Sequence, residues 1–457
     1  MSEHPPSSTL PPAASVASIL RLAVPSSAVF LLATVIQVFL IRFAAGLGPD
    51  AVAAVSTGAR LYNVFLAAAA GINAGALALI ANAWGAGRRS EANRLLSLSV
   101  ALGSAVGGAL MLATWAGAPA LVSIFDLDPG AHRESVGYVR WLALFYVPMA
   151  CYFVLVSGLR AAGDVRTPVV FAVIGNLLSI ALAWRFTSAG IFGAAPNVRS
   201  IAIGLGLGNL VATAMALALW WKRRLLLVPE PPDGRIGLRL RALWQVGYPA
   251  ALEQGLLQIG VIAFLWVVAH YGTAAYTAYG VGITLLSLAM VVGFGFSIAV
   301  SVLVGQQIGA GAPQHARTVA QRALVVTLAV LSLPALGIAI NARAVALWLT
   351  GDAEIAAHTV QVIYAFSAAM PMLAVEFCLG GALRGAGDTR FPMINVIVGL
   401  IVVRFGLALL FLHWHLAVGW IYATLIADFA VKNVLLIWRF RSNRWMKLLP
   451  LHKQRHI

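Results

Sequence analysis

Leu159-Arg160-Ala161-Ala162-Gly163-Asp164-Val165-Arg166-Thr167-Pro168 recurs as Leu383-Arg384-Gly385-Ala386-Gly387-Asp388-Thr389-Arg390-Phe391-Pro392, 224 residues later, with seven of ten positions identical. Chance does not readily place Arg, Asp, Arg and Pro in register, even in a Gly- and Ala-rich chain. At the same offset, without gaps, Pro25 falls on Pro249, Gly48 on Gly272, Gly58 on Gly282 and Gly71 on Gly295. Gly85-Ala86-Gly87 likewise falls on Gly309-Ala310-Gly311. The chain therefore reads as two head-to-tail copies of one unit.

The repeated segment has a local physical reading. Arg160 and Asp164 are four apart and are expected to pair on the last turn of a helix. Gly163 suits the left-handed position that ends a helix, and Pro168 suits the first turn of the next. The segment is thus expected to be a tight helix-turn-helix with a structural role and little contact with substrate.

Composition fixes the solvent. Hydrophobic residues are 61% of the 457 and charged residues 10%, with mean hydropathy +0.90. A soluble domain carries roughly 25% charged residues, so most of this surface must face lipid. Apolar runs of about 20 residues or more number twelve, six per copy. The expected fold is an all-α integral membrane protein of twelve transmembrane helices in two parallel six-helix lobes. The expected divisions are a tail at 1–16, a first lobe at 17–225, a linker at 226–241, a second lobe at 242–440 and a basic tail at 441–457. Pro148 and Pro371 fall inside spans and are expected to kink them.

The net charge of +16 could suggest nucleic acid, but its placement argues otherwise. On one side of the spans lie 22 of the 31 Lys and Arg residues, and on the other only four: Arg133, Arg185, Arg199 and Arg343. That asymmetry follows the positive-inside rule and implies cytoplasmic termini in a cell (inner) membrane. The expected partners are a small-molecule substrate and membrane lipid, with no nucleic acid, and the expected state is a monomer. Cys151 and Cys378 lie in apolar runs without metal-ligand spacing, the histidines are mostly near span ends, and no cofactor is expected.

Six spans per unit give both units one orientation, related by an axis along the membrane normal. Substrate sites in such proteins lie between the halves near the midplane. Three carboxylates fall deep in spans: Glu253, Glu376 and Asp428. Each is costly in hydrocarbon, by roughly 2.5 kcal/mol or more at the centre, unless it faces a cavity, pairs or takes a proton. Glu253 follows Pro249 by four residues and has Gln254 and Gln258 nearby. Glu376 follows Pro371 by five and could instead partner Arg404. Asp428 precedes Lys432 by four and fits a structural ion pair. Tyr146, Tyr152, Tyr276 and Tyr279 are candidates to stack on a planar cation in the substrate cavity.

The two Leu-Arg-x-x-Gly-Asp-x-Arg-x-Pro turns and the segment Val304-Gly305-Gln306-Gln307-Ile308-Gly309-Ala310-Gly311 resemble the multidrug and toxic compound extrusion (MATE) family of the MOP flippase superfamily. Gly293-Phe294-Gly295-Phe296-Ser297 and the ending Trp438-Arg439-Phe440 to Trp445 add to the resemblance, which covers about residues 20–446. It implies an antiporter of two lobes in a V, with H⁺ or Na⁺ entering as organic cations or drugs leave. It also implies an acid in the first helix of the second lobe, where Glu253 stands. The family's proton-binding first lobe is not matched. Leu40 stands at its first-helix Asp, and Ser179 and Ala183, preceded by Asn176, stand at its fifth-helix Asn-x-x-x-Asp. Any coupling is therefore expected in the second lobe. An exporter of a lipid-linked or anionic substrate stays open, with Arg42, Arg60, Arg140 and Arg404 as candidate cavity cations. No catalytic constellation points to an enzyme.

Overall fold

The computed structural model describes residues 15–190, 195–350 and 353–447. The first residues of the expected N-terminal tail, and Lys453 and Arg455 of the basic C-terminal tail, lie outside that range. All described regular structure is helical. The first lobe comprises α1 (Val16–Ala45), α2 (Pro49–Gly85), α3 (Arg89–Ser123), α4 (Pro129–Ala143), α5 (Tyr146–Ala161), α6 (Arg166–Ala189) and α7 (Val198–Trp221). The second comprises α8 (Ile236–Ala269), α9 (Thr273–Gly309), α10 (Pro313–Ile340), α11 (Ala342–Thr350), α12 (Ala353–Gly385), α13 (Arg390–Val396), α14 (Gly406–His413) and α15 (Val418–Arg441). A π-helical stretch, Ile397–Phe405, joins α13 to α14.

Among the described residues, eleven spans are long and apolar enough to cross a membrane, and α4 with α5, taken as one span bent by 50°, makes a twelfth. The break falls three residues before Pro148, whereas α12 runs unbroken through Pro371. α8 starts at Ile236, six residues earlier than the expected lobe boundary, so the linker is shorter than its composition suggests.

The repeat is visible in the helix bounds. α2 and α9 differ by 224 at both ends, as do α4–α5 and α12, and α6 and α13–α14. The last helix departs: α15 is displaced from α7 by 220, because four residues precede α15 where eight precede α7. The gap-free register read from the sequence fails there. Gly175 packs on Gly208 and Ala212, while Gly399 packs on Asp428 and Lys432, which fixes the corrected pairs.

Four core clusters occur among the described residues, of which a small one joins α11 to α12 and the other three define the shape. One is shared by both lobes and lies toward the end that carries the basic turns, holding Ala76 and Leu79 of α2 with Val300 and Val304 of α9. Beyond it the core divides. One cluster is confined to the first lobe, around Phe65, Tyr138 and Tyr146, and another to the second, around Phe264, Tyr279 and Phe366. The lobes thus fuse at the basic end and part toward the other. Gly71 and Gly247 mark a close approach of α2 and α8: a Cβ on Gly71 would fall 2.7 Å from Gly247 O. Ser27 of α1 donates to Val292 O of α9 at 3.2 Å, and Phe30 lies 5.7 Å from Phe294 between ring centroids.

At the basic end, residues 228–235 are tied to the start of α3. Ser90 donates to Glu230 at 2.6 Å, and Arg94 to Asp233 at 2.9 Å. Arg239 of α8 donates to both Glu91 oxygens at 2.8 Å and also bonds Asp233. The Arg239 hydrogen bonds hold the Asp233 carboxyl well below the usual carboxylate range.

Candidate functional site

Both repeated turns close as expected. Gly163 and Gly387 adopt φ of 93° and 81°. Asp164 N and Asp388 N donate back to Leu159 O and Leu383 O at 2.9 and 2.8 Å, the hydrogen-bond pattern of a glycine-terminated helix. The charged side chains behave differently from the sequence reading. Asp164 does not pair with Arg160 among the described residues. Its Oδ1 accepts from Arg166 N and Thr167 N at 3.1 Å, capping α6. Asp388 instead accepts from Arg439 Nε at 2.8 Å.

Arg384 leaves the turn altogether. Side chains on a helix tilt toward its N-terminus, and this one runs back along α12 into the span. Its Nη2 lies 2.6 Å from Glu253 Oε1, and its Nη1 donates to Ser297 Oγ at 3.2 Å. Glu253 is 3% exposed. The pair ties α8, α9 and α12 together. The sequence reading treated Arg384 as a topogenic charge on a structural turn, and the structure corrects that. The signal that could have found it was Glu253 itself, since a carboxylate in an apolar run needs a cation within reach.

The remaining buried charges form a second knot. Lys432 Nζ lies 3.1 Å from Asp428 Oδ1 and 3.6 Å from Glu376 Oε1. Glu376 therefore partners Lys432, not Arg404. Arg404 donates to the Tyr279 hydroxyl and stacks 4.2 Å from the Phe264 ring centroid. The π-helical stretch, whose widened turn often marks a functional position, carries both Gly399 and Arg404. A Cβ on Gly399 would overlap Asp428 and Lys432. Among the described residues of these two groups, three carboxylates (Glu253, Glu376, Asp428) balance three cations (Arg384, Arg404, Lys432). Yet Glu376 Oε2 and Asp428 Oδ2 are buried and accept no hydrogen bond among the described residues.

The other sequence candidates fall in varied places. Gln254 is half-buried and Gln258 exposed on α8, near Glu253 in sequence, and Asn176 is half-buried on α6. Tyr146 is 1% exposed and stacks on Phe65 at 4.4 Å within the first-lobe core. Tyr152 is buried with a hydroxyl that has no hydrogen-bond partner among the described residues, Tyr279 is held by Arg404, and Tyr276 is 45% exposed. In the first lobe, the positions of Glu253, Glu376, Asp428 and Lys432 are taken by Val29, Tyr152, Gly208 and Ala212. Only Arg160, at the Arg384 position, keeps a charge.

A model of the MatE family matches residues 25–185 and 249–410, one match per lobe. A curated relative from Thermotoga maritima, called a probable multidrug resistance protein NorM, is 27% identical over 391 residues, covering 83% of this chain and 82% of its own. Among solved structures, a MATE in the bent conformation superimposes with TM-score 0.85 at 21% identity, covering 93% of this chain and 94% of that one. An outward-facing multidrug resistance MATE transporter of the MOP superfamily gives TM-score 0.84 at 20% identity, covering 93% and 96%.

Proposed function

The chain belongs to the MatE family, and on that premise we propose that it is a secondary active antiporter exporting organic cations or drugs in exchange for H⁺ or Na⁺. The observation that carries the ion-coupling part is the second-lobe knot, where Glu376 Oε2 and Asp428 Oδ2 are buried beside Lys432 and accept no hydrogen bond among the described residues. A proton or Na⁺ reaching Glu376 or Asp428 competes with Lys432 for the carboxylates. One reaching Glu253 competes with Arg384. In the first case Lys432 keeps only one of its two carboxylates, and in the second Arg384 loses its carboxylate partner. The weakened pairing of a buried cation favours its movement, because an unpaired charge in low dielectric is costly.

That movement has a mechanical route. Glu253 lies six residues after Gly247, where α8 touches α2 across the lobe interface. Release of Arg384 frees α8 from α12 and α9 at the level where the lobes meet. The lobes can then rock about their shared core, exposing the space between them to one side and then the other. The cores part away from the basic end. With that end read as cytoplasmic by the positive-inside rule, this is an outward-open state with both termini inside. A cationic substrate drawn to the same carboxylates would exchange with the ion rather than accompany it.

The test is transport by purified protein in proteoliposomes, with a panel of organic cations under an imposed H⁺ or Na⁺ gradient. Export driven by one gradient, and lost with Glu253→Gln, fits the proposal. Export indifferent to both gradients, or confined to anionic substrates, refutes it.

A further inference from the structure

The end of the first lobe away from the basic turns carries a feature that export does not use. Positive-inside topology drains that end of basic residues, leaving only four Lys or Arg there by sequence. Two of the four, Arg133 and Arg199, nonetheless converge with a third, Arg140. They line a groove of about 890 Å³ between the end of α3, α4 and the start of α7.

The convergence is built into α4. Arg133, Gly137 and Arg140 are spaced at i, i+4 and i+7, so they share one helix face. Arg199 crosses from α7 and lies on that face at Gly137. A Cβ at Gly137 would fall 2.7 Å from Arg199 Nε, so the bare glycine is what seats the guanidinium between the other two. Arg140 is held from behind: its Nε donates to Trp115 O at 3.3 Å and its guanidinium lies 5.5 Å from the Trp115 ring centroid. Its two terminal nitrogens make no hydrogen bond or ion pair among the described residues, and Arg140 lines the groove. Among the described residues, none of the three arginines makes an ion pair. Asp50, beside Gly130, and Glu134, on α4, are near in position but line no part of the groove.

The walls have the opposite character. Trp115, Trp141 and Leu144 line the groove and are 48%, 40% and 42% exposed. Tryptophan at such a level is typical of the membrane interface. A ligand that satisfies both parts carries a phosphodiester for three guanidinium groups and hydrocarbon for the walls.

We propose that this groove binds the headgroup of an anionic phospholipid from the leaflet at that end, with its acyl chains running past Trp141 and Leu144. Arginine forks match phosphate oxygens in pairs. The bound lipid would brace α4 against α3 and α7 just above the 50° bend between α4 and α5.

The experiment is native mass spectrometry of the full-length, delipidated protein titrated with phosphatidylglycerol or phosphatidylcholine of matched chains. The wild type is expected to retain phosphatidylglycerol preferentially. The Arg133→Gln/Arg140→Gln/Arg199→Gln variant should lose about tenfold or more of that preference, because it removes all three guanidinium partners of the phosphate. Gly137→Ala keeps every charge but displaces Arg199, and should lose part of the preference, which covers a triple variant that fails to fold. Arg185→Gln, at the same end but outside the groove, should bind as wild type. Equal retention of both lipids by the wild type overturns the proposal, as does an undiminished preference in both groove variants. Displacement of the lipid by millimolar inorganic phosphate would place a free anion there and overturn the lipid assignment.

Discussion

Arg384 Nη2 and Glu253 Oε1 lie 2.6 Å apart across a sequence separation of 131 residues, joining the end of α12 to the middle of α8. The pair distinguishes a structural role from a coupling role through its variants. Removing one member of a buried pair leaves the other uncompensated, which typically costs about 3–5 kcal/mol. Glu253→Gln and Arg384→Gln are each expected to lower thermal stability by an amount in that range, reduced by the partial exposure of Arg384. The double variant should recover most of the stability but none of the gradient-driven export. Thermal unfolding in detergent and transport in proteoliposomes check the two halves separately. Recovery of transport in the double variant would make the pair a brace and remove it from the coupling scheme.

The second knot is suited to a double-mutant cycle. Lys432→Met leaves Asp428 and Glu376 facing each other without a cation, and should destabilise strongly. Adding Asp428→Asn removes one of the two charges and should restore part of the loss. Groups in one network couple by about 0.5–3 kcal/mol, so the measured coupling energy should fall within that range. Additive effects within about 0.3 kcal/mol would mean that the 3.1 Å separation of Lys432 and Asp428 carries no net interaction.

The division between what was legible in the sequence and what was not follows the range of the interactions. The duplicated turn and the twelve spans rest on local chemistry: a Gly at positive φ, a Pro starting a helix, twenty apolar residues in a row. Gly163 and Gly387 could therefore be assigned before any coordinates. The pairing of Glu253 was not legible, because Arg384 sits in a turn by sequence but its long side chain reaches back into the span, along the N-terminal tilt of helix side chains and against the usual tendency of a basic head group to reach water. The register of α15 was missed because no turn motif anchors that span, so a four-residue difference in the preceding loop passed unseen. The same slip hid the first-lobe counterparts of Asp428 and Lys432, which are Gly208 and Ala212. Asp428 and Lys432 themselves pair as their i, i+4 spacing suggested.

The linker supplies a pH-dependent prediction outside the membrane. Asp233 is held below its ordinary value by Arg239, with Arg94 adding to the effect. A carboxyl with a depressed folded-state pKa contributes stability above its unfolded value, and loses that contribution as pH falls through its folded value. Asp233→Asn should therefore lower the unfolding temperature near neutral pH, and the difference from wild type should shrink steadily as the pH drops below about 4. The group is partly exposed, so added salt should also diminish the difference. Unfolding curves at three pH values and two salt concentrations test both trends. A difference that is constant across pH would mean that the Arg239 contact does not perturb the carboxyl.

The lobe interface makes the last prediction, because rocking requires α2 and α8 to separate and close again at Gly71 and Gly247. A Cβ on Gly247 would fall 2.8 Å from Gly71 O, and one on Gly71 would meet Gly247 O at 2.7 Å. Neither obstruction is a flexible side-chain tip that could swing away, so the helices themselves must shift. Gly247→Ala should wedge the lobes apart at mid-span and lower transport severely, with a smaller effect on overall stability because the lobe cores beyond are separate. Gly255→Ala, on the same helix with nothing within 4 Å of its added carbon, should transport as wild type and even gain slightly in helix stability. Cysteine pairs placed across the two lobes at the basic end would report the state directly: they should cross-link readily in wild type and poorly in Gly247→Ala. Equal cross-linking in both, with transport still lost, would show that the glycine serves motion within the second lobe rather than contact between the two.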